Sequence, residues 1–253
     1  MNWIIFYYLD NVLRGCCGEV MNKIQMDLRK HADVKVAEKN QYFFKTGKGE
    51  YGYGDIFIGV RSADLRKLAK NNITLGVRVI KSLIKSKVHE ERALGLLILV
   101  YKYEKAKSEE EREKVYKIYL TMFKYINNWD LVDCSSPYIV GTYLLNRDRK
   151  ILYTWVKSDH LWTKRIAMVA NWWFIRKGDL REVFKMAELL LNDEHDLIHK
   201  VVGWMLREAG KKDLKKLEFF LKKHYKSMPR TMLRYSIEKF PEPLRQKYLK
   251  GII

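Results

Sequence analysis

His89–Tyr125 reads HEERALGLLILVYKYEKAKSEEEREKVYKIYLTMFKY. An apolar run over 89–105 gives way to a short polar turn, and a second helical period follows over 109–125. Ser108 with Glu111 forms a capping box at the start of the second helix. Two helices joined by so short a turn fold back on each other as an antiparallel pair. The same grammar continues in both directions. The periodicity predicts helices near 62–70, 73–87, 129–145, 148–157, 161–176, 180–192, 196–209, 213–225, 229–239 and 242–250. Asp179 with Glu182 makes a further capping box. Ser227 is expected to cap a helix whose first turn carries Pro229. There are only four prolines, and none is expected to interrupt a long periodic run.

Helices of 10–17 residues, short turns and almost no strand signal predict an all-α protein. The arrangement expected is a HEAT-like α-solenoid of stacked antiparallel pairs, with residues 21–253 as one domain. A period of roughly 35–45 residues would give about five or six pairs. No clean internal sequence identity accompanies it, so the repeat rests on helix lengths and turn spacing.

Thr46–Val60, TGKGEYGYGDIFIGV, has another character and holds five of the fourteen glycines. A flexible loop is the plain reading and a phosphate cradle the sharper one. Its spacing fits neither a P-loop nor a dinucleotide fingerprint. Residues 1–20 stand apart too. Trp3–Leu9 is apolar, but Asp10 and Arg14 interrupt it and no basic region precedes it. It is too short to span a membrane and a poor signal peptide. Residues 1–20 read either as an extra helix or as an upstream misassigned start, with Met21 opening a more ordinary stretch. The second is preferred.

The chain has 253 residues, with 49 Lys plus Arg against 30 Asp plus Glu, a net charge of +19. At 47% hydrophobic it can bury a core, which excludes a disordered basic tail. An excess of cations unmatched by carboxylates implies a polyanionic partner. Nucleic acid is favoured over an anionic membrane or a protein partner. Three cysteines, Cys16, Cys17 and Cys134, provide no metal or disulfide framework and fit a reducing cytosol. His195 and His199 lie one helical turn apart, yet capping or solvated roles suit them better than metal ligation.

Asn128-Trp129-Asp130-Leu131-Val132-Asp133 opens a helix that Asn128 can cap. Trp129 and Asp133 are four apart and share a face. Physics alone favours a packed Trp129 with Asp133 as a first-turn acid. Trp204 and Arg207 are three apart, as are Trp162 and Arg165. Each pair fits a nucleic-acid surface, or an arginine stem lying over a packed ring. Trp172 and Trp173 sit mid-helix in an apolar run and are expected in the core.

The run FFKTGKGEYGYGDIFIGVRSADLRKLAK, followed by NWDLVD, WTKRIAMV, HKVVGWMLREAGK and MPRTMLRYSIEKFPE, resembles the DNA alkylation repair family of AlkD-like glycosylases. The resemblance covers roughly residues 25–250, in order. It implies a HEAT-like α-solenoid with a concave basic face on duplex DNA, and excision of cationic N3- and N7-alkylated purines. Trp129 and Asp133 match the family's WDxxD element, and Trp204 and Arg207 its GWxLRE element. Arg165 matches a DNA-contacting arginine. Lys164 stands where the family commonly has arginine. Tyr51 is the loose match to a family tyrosine near the first helices.

The resemblance thus makes Asp133, Trp129 and Trp204 catalytic, and Arg165, Arg207, Lys164 and Tyr51 DNA-binding. A cationic purine leaves without a general acid, and a carboxylate stabilises the developing oxocarbenium. No metal or cofactor is implied. The chain is expected to act as a cytoplasmic monomer, nucleoid-associated if prokaryotic, with no membrane contact. The alternative is a non-catalytic HEAT-like binder of damaged or branched DNA.

Overall fold

The computed structural model describes residues 23–253. The reading of residues 1–20 and of Met21 as a start lies outside them. Among the described residues there are α-helices and no strand, save one isolated parallel bridge between Ile56 and Val88. The helices are α1 (Lys23–Arg29), α2 (Val34–Phe43), α3 (Ser62–Asn71), α4 (Val77–Ile84), α5 (His89–Lys105), α6 (Glu109–Leu120) and α7 (Trp129–Asp133). They continue as α8 (Lys150–Val156), α9 (Leu161–Arg176), α10 (Arg181–Leu189), α11 (Asp196–Lys212), α12 (Leu214–His224), α13 (Arg230–Ser236) and α14 (Glu242–Lys250). The fold is all-α and α-solenoid-like, with helices near in sequence packed on α5, α9 and α11 from α3 to α13.

Two helices form the spine. Leu94, Leu96, Leu97, Ile98 and Leu99 of α5 are all buried, as is the continuous stretch Ile166–Ala170 of α9. Helices apolar all round must be covered on every side. The covering helices are one-faced: α10 buries Val183, Met186 and Ala187, spaced three and four apart. The core is one body, running from Ile24 to Tyr248.

Local chemistry sets several boundaries. Asp33 starts α2 by accepting from Lys35 N at 2.9 Å and Val36 N at 3.2 Å. The expected helix over 73–87 begins only at Val77, because Lys102 Nζ donates to the carbonyls of Ile73 (2.6 Å) and Leu75 (3.2 Å) and holds them as a turn. Ser108 accepts from Glu111 N at 3.3 Å, and Glu111 accepts in return from Lys107 N rather than from Ser108. Asp179 accepts from Arg181 N, while Glu182 turns away to Tyr153. Ser227 does not cap α13. Its hydroxyl donates to the His224 carbonyl at 3.1 Å, and Pro229 occupies the cap position.

The helix expected over 129–145 is not continuous. It stops at Asp133 and resumes as a π-helical turn, Pro137–Gly141. Pro137 has no N–H to give the carbonyl four residues back and its ring crowds that carbonyl, so it does interrupt a periodic run. Gly141 lets this turn press on α9. A Cβ there would lie 2.5 Å from the Ala170 carbonyl oxygen.

Candidate active site and nucleic-acid interface

Helix α7 is only five residues long and cannot hold itself. Asn128 is buried and accepts from Trp129 N at 2.8 Å. One turn later the Asp133 carboxylate meets Arg165 of α9 edge to edge. Arg165 Nε donates to Oδ1 at 3.0 Å and Nη2 to Oδ2 at 2.8 Å. The third nitrogen, Nη1, donates to the Leu197 carbonyl of α11 at 2.9 Å. Ser136 donates to the Ile166 carbonyl at 2.8 Å and adds a second clasp between these elements.

The bidentate geometry describes a carboxylate, since both oxygens accept. Burial pushes the Asp133 carboxyl above its ordinary value, the Arg165 charge and hydrogen bonds oppose it, and Asp130 adds to the rise. The Asp133 side chain keeps 20% of its surface open. Two of its roughly four lone-pair directions go to Arg165, which leaves the others for a water or a sugar.

Trp129 is half-buried and stacks on Phe44 at 5.2 Å and 19°, with the edge of Phe43 5.8 Å away. The Tyr51 hydroxyl lies beside the Trp129 indole, and its ring meets Trp162 at 6.0 Å. Burial raises the Tyr51 phenol above its ordinary value. Tyr51 therefore stands at the same site as Trp129, delivered by the glycine-rich segment.

That segment is not a flexible loop. Glu90 accepts from Gly59 N at 2.7 Å, Ile58 N at 3.1 Å and Val60 N at 3.3 Å. A carboxylate of the chain itself thus fills the place of a phosphate. Gly59 has φ +81°, and a Cβ there would fall 1.9 Å from the Asp33 carbonyl oxygen. Four consecutive charged residues open α5 and all are buried. Glu90 holds the turn just described, and Glu91 pairs with Arg29 at 2.7 Å. Arg92 pairs with Asp55 at 2.6 Å. His89 donates from Nδ1 to Asp55 at 3.0 Å and from Nε2 to Asp130 at 2.8 Å. Burial, the largest influence, pulls the imidazole down, but the Asp130 charge and the two carboxylate hydrogen bonds overcome it and raise it to about 9.

Three of the cations expected on DNA are tied to acids. Arg165 is 5% exposed and committed to Asp133 and Leu197, so it cannot reach a phosphate as placed. Lys164 pairs with Asp193, and Arg207 with Glu238 and Glu208. Trp204 is half-buried against the core and makes no ring contact with Trp129. It follows Leu197 by seven residues, about 10 Å up the same side of α11. The structure thus joins Asp133 to Arg165 and Trp129 to Tyr51, and leaves Trp204 and Arg207 farther along. His195 accepts from Leu197 N at 3.1 Å as a helix cap. Among the described residues no group of three or more His, Cys, Asp or Glu is arranged to hold a metal ion.

The model of the family described as "DNA alkylation repair enzyme" matches residues 24–240. The chain belongs to this family. A solved structure described as a predicted DNA alkylation repair enzyme from Enterococcus faecalis superposes with a TM-score of 0.66 at 15% identity. The match covers 84% of this chain and 98% of that one, and at this identity it speaks for the fold. No curated protein matches. For a DNA alkylation repair family member the network around His89 is the part that sequence reasoning missed. The available signal was HEER itself: four charges at the head of a helix apolar all round cannot all reach water.

Proposed function

We propose that the chain is a DNA glycosylase that hydrolyses the N-glycosidic bond of cationic N3- and N7-alkylated purines in duplex DNA. The observation that carries this reading is the Asp133 carboxylate, oriented by Arg165 one turn from Trp129 and still partly open. Such a lesion is already charged, so the leaving group asks for no proton. The barrier is the developing oxocarbenium, and a fixed carboxylate opposes that charge and can orient a water. Arg165 acts through Asp133 as its positioning residue. Trp129, with Tyr51 beside it, offers an electron-rich face to the cationic base, and Trp204 a second one farther along. Membership of a DNA alkylation repair family supports DNA as the partner. The HEAT-like repeat organisation, a monomeric state and action in the cytoplasm belong to the same proposal.

One observation favours a second reading. Arg165 partly neutralises Asp133, as a purely structural ion pair would, and a non-catalytic binder of damaged DNA needs no free carboxylate. Single-turnover base release from a 7-methylguanine duplex, in EDTA, separates the two. Asp133→Asn should slow release about 100- to 1,000-fold, the effect of removing one preorganised group, with duplex binding little changed. Equal rates remove Asp133 from the chemistry, and no release by either protein leaves the binder.

A further inference from the structure

Trp172 and Trp173, expected in the core, are both half-buried at the surface. Their rings lie 5.9 Å apart, and Tyr138 faces them at 5.7 Å and 6.3 Å. Arg176 lies over Trp172 at 4.8 Å, and Lys177 over Trp173 at 5.9 Å. The close approach at Gly141, where a Cβ would also fall 2.9 Å from Trp173 Cβ, brings the π-helical turn and α9 near enough to make this cluster.

Its place relates it to Asp133. Trp172 follows Arg165 by seven residues and Arg176 by eleven, two and three turns of α9. All three share one stripe, with Trp172 about 10 Å from Arg165 along the axis. A groove runs on from Tyr138 past Tyr101 and Lys105 to Arg66 and Lys70. A second hollow joins Tyr138 to Trp173. Glu104 borders both hollows, and Glu109 in the second is already paired with Arg112 and Arg147. By contrast Arg66, Lys70, Lys105, Arg176 and Lys177 have no carboxylate partner among the described residues. The cations expected to grip phosphate are tied up, whereas these five, among the untied cations of the chain, stand beside aromatic rings.

We infer that this groove binds unpaired nucleotides, the bases stacking on Tyr138, Trp172 and Trp173 and the phosphates lying on Arg176, Lys177 and Lys70. Stacking needs a free base face. Inside a duplex both faces of every base are covered, so the rings can serve only a single strand, a gap or a frayed end. Guanidinium planes accept a base as readily as indole does, so Arg176 over Trp172 is part of the platform. The inference concerns binding alone and stands whether or not the chain releases bases.

The test compares a fluorescein-labelled oligo(dT) with a duplex of equal length, titrated with the full chain. Wild type should bind oligo(dT) with quenching of tryptophan fluorescence. Trp172→Ala/Trp173→Ala should weaken oligo(dT) binding by roughly tenfold or more, the loss expected for two stacked bases, and duplex binding by less than about threefold. Arg176→Ala/Lys177→Ala touches no core residue and serves if the first variant fails to fold. It should lower the oligo(dT) salt slope by about 0.7 for each cation removed. No oligo(dT) binding by wild type overturns the inference. So does unchanged oligo(dT) affinity in the folded variants, or equal losses for oligo(dT) and duplex.

Discussion

The His89 imidazole and the Asp130 carboxylate, 41 residues apart in sequence, meet at 2.8 Å. Asp130 sits between Trp129 and Asp133 on the five-residue helix α7. The other ring nitrogen donates to Asp55, and Arg92 holds the same Asp55 oxygen. The turn that carries the candidate chemistry is therefore hung from the spine helix α5 by a buried cation. Phe57, stacked on the ring at 4.3 Å, closes it off from water.

This tie makes stability depend on pH in the alkaline direction. His89 is raised from 6.5 to about 9 on folding. A raised histidine stabilises the fold fully below about pH 6.5, and that contribution drains away as pH climbs through about 9. Urea unfolding at fixed ionic strength should show wild type losing up to about 3 kcal/mol over this window. His89→Gln should be less stable at pH 6 and should lack the alkaline decline. A wild-type profile flat from pH 6 to 9 would mean that the imidazole is neutral in the fold.

Arg165→Gln should cost about 3–5 kcal/mol, because it strands the Asp133 charge in a buried place. Asp133→Asn strands Arg165 in turn. The double variant should recover part of the loss, with a coupling of roughly 0.5–3 kcal/mol in a thermodynamic cycle. Additive losses would show that the two groups do not act on each other.

Gly59→Ala should destabilise the protein by at least about 2 kcal/mol, since it combines a positive φ with a backbone clash. Gly49 also has positive φ, at +84°, but meets nothing within 4 Å. Gly49→Ala should therefore cost about 1 kcal/mol or a little more. Thermal unfolding of the pair measures the difference, and equal losses would place no clash at Gly59.

Duplex affinity should fall steeply with salt, since nineteen excess cations favour counterion release. An open cation on a phosphate contributes about 0.9 to the slope. Lys164→Gln and Arg207→Gln should change it far less, because their charges are already met by Asp193 and Glu238. A drop near 0.9 for either variant would show that its ion pair opens on DNA.

The spine was legible because its signal is local. His89–Lys105, Leu161–Arg176 and Glu242–Lys250 begin and end where periodicity put them. The break at Pro137 was missed, although a proline stands four residues past Asp133, because the apolar period runs through it. What sequence could not place was any contact made by one side chain across many residues. Nothing near Arg165 names Asp133 as its partner, so a buried ion pair reads like a surface arginine. Trp172 and Trp173 read as core for the same reason: periodicity says that a face is apolar, but not whether another helix comes to cover it. Tyr51 was named by a loose motif match alone, because the residues that hold its loop, Glu90, His89 and Arg92, have no sequence link to it.

Asp55, His89, Arg92 and Asp130 balance to zero charge only as a set of four. Seventy-five residues separate the first from the last. At a synthesis rate of about 5–20 residues per second, Asp130 follows Asp55 by roughly 4–15 s. Until then His89 Nε2 lacks its carboxylate, and Asp55 alone serves both His89 and Arg92. The head of α5 gains this last tie only when Asp130 arrives. On the ribosome the tie between α5 and α7 is therefore a late one, made across 41 residues of chain.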